Sequence, residues 1–170
     1  MRDLERAPSA CRADDNYLII NPFFHSFGYK AGWLAAIIRG ARILPVQNFD
    51  LDAVLAQIER ERISMIPGPP TIYQSLLAHP ERDKYDLSSL RLAVTGAAPV
   101  PVELVRRMRE DLGFEVVVTG YGLTESCGVV TICRPEDSAE LFPTLPGAPW
   151  MASKSKLSIW KATRCAGHRR

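Results

Sequence analysis

The 170-residue sequence predicts an α/β fold, a parallel sheet with flanking helices. Three observations predict it. Short apolar runs alternate with helix-length segments of ten or so residues, the spacing of right-handed crossovers between parallel strands. The run Glu115-Val116-Val117-Val118-Thr119 is β-branched and bounded by glycines, the composition of a buried strand. Behind Asp50, an N-cap residue, Leu51, Val54, Leu55 and Ile58 recur on one helical face.

Taken in order, Tyr17-Leu18-Ile19-Ile20 is the first strand, and the loop Asn21-Pro22-Phe23-Phe24-His25-Ser26-Phe27-Gly28 follows it. Residues 29–39 read as a helix with an apolar body of Trp33, Leu34, Ile37 and Ile38, stopped by Gly40. Residues 41–46 are the next strand. The Asp50-capped helix carries Glu59-Arg60-Glu61-Arg62 largely outside, a solvated face that needs no partner. A short strand over 63–66 precedes Pro69 and Pro70, which start a helix over 71–78; 80–89 is a polar loop. Residues 90–95 form a strand ending at Gly96-Ala97-Ala98-Pro99, with Pro99 expected to open the helix over 100–112 that Gly113 ends. The valine strand then reaches the sheet rim at Gly120-Tyr121-Gly122. No repeat or low-complexity tract interrupts the pattern.

Composition narrows the class. The chain is 46% hydrophobic and 24% charged, with no apolar run of bilayer-spanning length and no signal-peptide pattern at its start. Cys11, Cys127, Cys133 and Cys165 show no C-x-x-C pairing and no histidine cluster, which argues against zinc and fits a reducing cytoplasm. Residues 1–140 hold 15 of the 21 basic residues and all 19 acids, a balance of −4; residues 141–170 hold six bases and no acid. Such a tail can serve nucleic acid or anionic membrane, but neither partner is expected here.

The chemistry gathers on the rim, where α/β proteins bind ligands. Thr124 beside Glu125 suits a magnesium nucleotide: a hydroxyl for a phosphate oxygen, a hard carboxylate for Mg²⁺. Tyr121 offers a flat face to a base. Gly96, Ala97 and Ala98 let a planar ring approach the backbone. A polar loop after a strand is the competing reading of Thr124 and Glu125. His25 caps its loop or closes a pocket, and Phe23, Phe24 and Phe27 divide between core and pocket wall. Gly68 and Thr71 border a pocket or merely start a helix. Cys127 is read as a small buried thiol, Lys30 and Arg134 as exposed cations, and His79 and His168 as incidental.

Together the three rim blocks, Asn21 to Gly28, Gly96 to Pro99 and Tyr121-Gly122-Leu123-Thr124-Glu125, resemble the adenylate-forming superfamily in that family's order. Residues 14–140 carry the resemblance. Ile66-Pro67-Gly68-Pro69-Pro70-Thr71-Ile72-Tyr73 and Cys133-Arg134-Pro135-Glu136-Asp137 look closest to actinobacterial acyl-CoA ligases of fatty-acid and steroid-acid metabolism, some of which act on bulky alicyclic acids. The resemblance implies a partial N-terminal domain of an AMP-forming acyl-CoA synthetase. Its substrates would be a carboxylic acid, ATP and coenzyme A, with Mg²⁺ as cofactor. It implies Gly96, Ala97 and Ala98 against adenine, with Tyr121 and Gly122 flanking the ring. Thr124 would bind phosphate, Glu125 the metal, and His25 would close the acyl pocket.

Departures matter as much. The family's Gly/Ser/Thr-rich phosphate loop is expected before Tyr17, and its ribose-binding aspartate and lysine-bearing C-terminal domain after the tail; neither segment is present. Residues 1–13 are expected to be irregular. For 141–170, permitted codons read one nucleotide out of register spell the turn and strand that the family places there, so the tail is expected to be frameshifted and disordered. The DNA would decide it. The chain alone is therefore expected to be inactive, with exposed apolar edges and marginal stability. A non-catalytic nucleotide-binding remnant is the alternative. The acyl substrate and the oligomeric state are not set by these residues.

Overall fold

The computed structural model describes residues 11–126 and 128–133. The expectations for the first ten residues, Cys127, Arg134, the rest of the 134–137 block and the 141–170 tail with Cys165 and His168 lie outside them. Among the described residues, six strands form one sheet in the order β2-β1-β3-β4-β5-β6. The first five are β1 (Asn16–Ile19), β2 (Arg42–Pro45), β3 (Met65–Gly68), β4 (Leu92–Gly96) and β5 (Val116–Leu123), all parallel. β6 (Gly128–Ile132) returns antiparallel to β5.

Helices cover both faces, so the strands have no polar side. Alternation along each strand divides the core in two. Leu18, Ile66, Ala93 and Val117 face α3 (Leu51–Glu61), α4 (Pro70–Ala78) and α5 (Val102–Glu110) in one cluster. Tyr17, Ile19, Met65, Leu92 and Val118 face Ala36 of α2 (Ala35–Arg39) in the other. The connection from β1 to β2 runs one way along the sheet and the connections onward to β5 run the other, which sets the helices on opposite faces.

Local signals explain most boundaries. Asp50 caps α3 by accepting from the Ala53 N–H at 2.8 Å. Gly40 and Gly113 end their helices in the left-handed region, at φ 73° and 77°. Other boundaries differ from expectation. α5 begins at Val102 with Pro101 as its N-cap residue, so Pro99 lies in the loop rather than in a first turn. β3 runs two residues later than expected and includes Pro67. β1 leaves β3 after the Tyr17–Met65 pairing, so the missing N–H forfeits no ladder bond to β1, and Asn21 donates to the Pro67 carbonyl at 3.3 Å. The charged 59–62 run does find partners: Glu61 pairs with Arg42 at 2.9 Å and Arg62 with Asp86 at 2.6 Å. Both pairs are solvent-exposed and add little stability.

The expected helix over 29–39 is not regular. A short helix α1 (Ser26–Gly28) leads into a kinked helical stretch over Tyr29–Leu34 and then α2, with Gly32 off helical geometry at φ −101°, ψ −113°. Gly32 sits against Ile19, where a Cβ would meet Cγ2 at 3.4 Å. A glycine inside the helical run permits the break.

At the opposite rim from the carboxyl ends, one buried ion pair ties three strand starts together. Arg91 donates to both oxygens of Asp15, at 2.8 and 2.6 Å, while the Ser64 hydroxyl and the Arg12 N–H also donate to it at 2.7 and 2.6 Å. Burial pushes the Asp15 carboxyl up, but these donors outweigh it and hold the group below its ordinary range. His79 has a similar structural role, joining the end of α4 to Asp52 of α3 at 3.0 Å.

Candidate active site

A cleft of about 530 Å³, counting its open mouth, lies at the carboxyl rim of β4 and β5, on the side of α1. Its sheet wall is Val94, Thr95 and Gly96 from β4 and Ala97 just after it, with Gly120, Tyr121 and Gly122 from β5. His25, Ser26, Phe27 and Ala31 form the facing wall, and Gly128 and Ile132 of β6 the side.

Five residues singled out in the sequence therefore meet: His25, Gly96, Ala97, Tyr121 and Gly122. Ala98, Thr124 and Glu125 are placed outside the cleft walls. Ala98 is exposed in the loop after β4; Thr124 and Glu125 are exposed in a 3₁₀ turn at the tip of the β5–β6 hairpin. Strand β5 does not stop at the rim as expected. It continues to Leu123 because β6 pairs with it, Gly120 opposite Ile132 and Leu123 opposite Gly128. The β-branched run Val129-Val130-Thr131-Ile132 is the sequence signal for β6, whose lining residues Gly128 and Ile132 are absent from the expected site.

Local geometry explains several positions. Gly96 is required first by the sheet: a Cβ there would stand 2.2 Å from the Gly120 carbonyl oxygen. Close approach of the two strands fixes that glycine. Ala97 takes φ 64°, the left-handed region that L-residues enter at a cost. Strained backbone of this kind gathers at ligand clamps.

His25 is the N-cap residue of α1, its Nδ1 accepting from the Phe27 N–H at 3.2 Å. In a neutral ring this leaves the proton on Nε2, a donor. The Pro22 carbonyl packs over Gly28, where a Cβ would stand 2.1 Å from the oxygen, so the loop folds tightly back on its own helix. The Tyr17 hydroxyl holds the facing wall to β1 by donating to the Ala31 carbonyl.

The phenylalanines divide unevenly. Phe27 lines the cleft, whereas Phe24 is 93% exposed, and Phe23 packs on Trp33 with ring centroids 6.5 Å apart. Gly68 and Thr71 lie outside the cleft walls; Gly68 packs against Ile72 in the start of α4. Among the described residues, no three His, Cys, Asp or Glu side chains gather as a metal cluster, and no helix is long and apolar enough to cross a membrane.

A doubly covered parallel sheet with a glycine-walled cleft at its carboxyl rim is the framework of a nucleotide-handling α/β enzyme. Residues 2–158 match the AMP-binding enzyme family, and the chain belongs to it. Two curated relatives share one name, 3-((3aS,4S,7aS)-7a-methyl-1,5-dioxo-octahydro-1H-inden-4-yl)propanoyl:CoA ligase. The Mycobacterium tuberculosis protein is 59% identical over 138 residues, 81% of this chain and 27% of its own length. The Rhodococcus jostii protein is 56% identical over 135 residues, 79% of this chain and 26% of its own. The chain thus spans about a quarter of the length of these relatives.

Solved structures agree on the fold. The N-terminal domain of FACL13 from Mycobacterium tuberculosis aligns with TM-score 0.68 and 29% identity over 81% of this chain and 36% of that one. O-succinylbenzoate coenzyme A synthetase from Bacillus subtilis, in complex with ATP and magnesium ion, aligns with TM-score 0.63 and 30% identity over 82% of this chain and 28% of that one.

Proposed function

We propose that this chain supplies the adenylate-binding core of an AMP-forming acyl-CoA ligase whose acid is a bulky alicyclic keto acid. One observation carries the reading: His25, Gly96, Ala97, Tyr121 and Gly122, from three separate segments, wall a single cleft in a chain 59% identical to a dioxo-octahydroindenyl-propanoyl:CoA ligase. In this reading the acid carboxylate attacks the α-phosphorus of ATP, giving acyl-adenylate and pyrophosphate, and the coenzyme A thiol then displaces AMP.

The chain's residues divide the work. Tyr121 stacks on adenine while Ala97 and Gly96 offer backbone to its edge. Ala98 borders the same loop. His25 Nε2 donates to an oxygen at the reacting centre, and Thr124 donates to a phosphate oxygen. Glu125 suits a magnesium ion that keeps several waters and phosphate oxygens as ligands. Its carboxylate is exposed on the hairpin tip, and no protein cage of acids surrounds it among the described residues. When bound, that ion offsets the charge of two anions that must meet. The parent enzyme would act in the cytoplasm.

AMP binding by the chain tests the nucleotide half of the reading. Titration calorimetry is expected to show AMP binding that Tyr121→Ala weakens roughly tenfold, the scale of one stacked base. Equal binding of AMP by chain and variant would remove adenine from the cleft. A second reading, nucleotide binding without catalysis, is favoured by Thr124 and Glu125 standing outside the cleft walls. Acid-dependent pyrophosphate exchange separates the two: exchange by the chain would exclude the second reading, because it requires carboxylate and ATP to be positioned for adenylation.

A further inference from the structure

One cation is held beside the cleft and is absent from every role above. Lys30 is half-buried, not exposed as its sequence suggested, and lies in the kinked helical stretch, where the next residue, Ala31, walls the cleft. Its stem crosses Gly128 at the β6 side of the cleft. A Cβ built at Gly128 would stand 3.0 Å from Lys30 Cδ, 3.7 Å from Cγ and 3.8 Å from Cε. The middle of the stem is thus nearest, and the side chain passes over the glycine instead of ending on it.

Gly128 is suited to this twice over: its φ of 106° disfavours any side chain, and a methyl group there would press on the stem. Gly128 also pairs with Leu123, the residue before Thr124 and Glu125, so Lys30 runs beside the hairpin tip. Its ammonium has no ion pair or hydrogen bond among the described residues. A lysine whose stem is already packed loses less rotamer freedom when it binds an anion.

We infer that Lys30 is a positioning cation for an oxyanion in this cleft, the phosphate of the nucleotide or the carboxylate of the acid. The inference rests on the acyl-ligase reading of the cleft. Chemically, it answers the repulsion between those two anions from the protein side. No bond to Lys30 forms or breaks; the ammonium donates hydrogen bonds and charge only.

The test measures binding of AMP, adenosine and 3-cyclohexylpropanoate to the full chain and to Lys30→Met and Lys30→Arg, with circular dichroism to confirm equal folding. Methionine keeps the packed stem and removes the charge. Lys30→Met is expected to weaken AMP or the carboxylate roughly tenfold, the loss of one charge-assisted hydrogen bond, while adenosine is unchanged and Lys30→Arg restores most of the loss. The ligand that responds identifies the oxyanion.

Equal loss for AMP and adenosine would overturn the inference, since shape and not charge would then be at stake. Unchanged binding of both AMP and the acid would overturn it too. In that case, retained AMP binding that Tyr121→Ala weakens leaves the nucleotide reading standing. Failure of the unsubstituted chain to bind any of the three would overturn both.

Discussion

Single residues decide the rim. Gly96 cannot accept a side chain, because the Gly120 carbonyl occupies the space at 2.2 Å. Gly96→Ala is expected to cost about 1–3 kcal/mol, as overpacking does, and urea denaturation would measure it. A change below a few tenths would mean that β4 and β5 can part freely. Asp15 makes a pH prediction. Its folded pKa lies below the ordinary 3.8, so its stabilisation is complete above that value and is lost as pH falls through the lower folded one. Stability against urea should fall over that acid window, and Asp15→Asn should flatten the fall while lowering stability at neutral pH. A variant with the parent's acid slope would remove Asp15 as its cause. The sequence suggested Gly96 for the approach of a ring and not for the strand beside it, and it held no hint of Asp15, since both contacts depend on neighbouring strands that no local pattern names.

At the scale of elements, capping and burial set what can be changed. Asp50→Ala removes the side-chain bond to the Ala53 N–H and is expected to destabilise by about 1 kcal/mol. Tyr73 tests the seam between α4 and the sheet. Its buried hydroxyl donates to the Ile66 carbonyl at 2.8 Å and lies 3.2 Å from that of Val94, with its ring edge-on to Phe114 at 5.9 Å. Tyr73→Phe keeps the ring contact and is expected to cost about 1 kcal/mol for the lost hydrogen bond. A thermal melt unmoved by either substitution would count against the capping or the seam. Asp50 was legible because a cap and its amphipathic helix are contiguous. The kink at Gly32 was not, because apolar spacing over 29–39 suits a regular helix just as well.

For the whole molecule, the sheet is covered but its surroundings are not. Ile37 and Ile38 on α2 are 59% and 58% exposed, and among the described residues β2 is an edge strand. Adjacent exposed isoleucines and an unpaired edge favour self-association. The chain is expected to associate as its concentration rises, and Ile37→Lys with Ile38→Glu to reduce that association in sedimentation. A sharp, concentration-independent melt of a monomer would contradict this. By itself the sequence determined the parallel α/β class, five of the six strands, the main helix caps and the family, because each is written in contiguous runs and fixed spacings. Only the tertiary structure decided that His25, Gly96, Ala97, Tyr121 and Gly122 share a cleft while Thr124 and Glu125 stand at a hairpin tip, and that Lys30 crosses Gly128. Those are facts of which strand lies beside which. Pairing between segments far apart in the chain is set by the fit of their packed faces, and no local spacing records it.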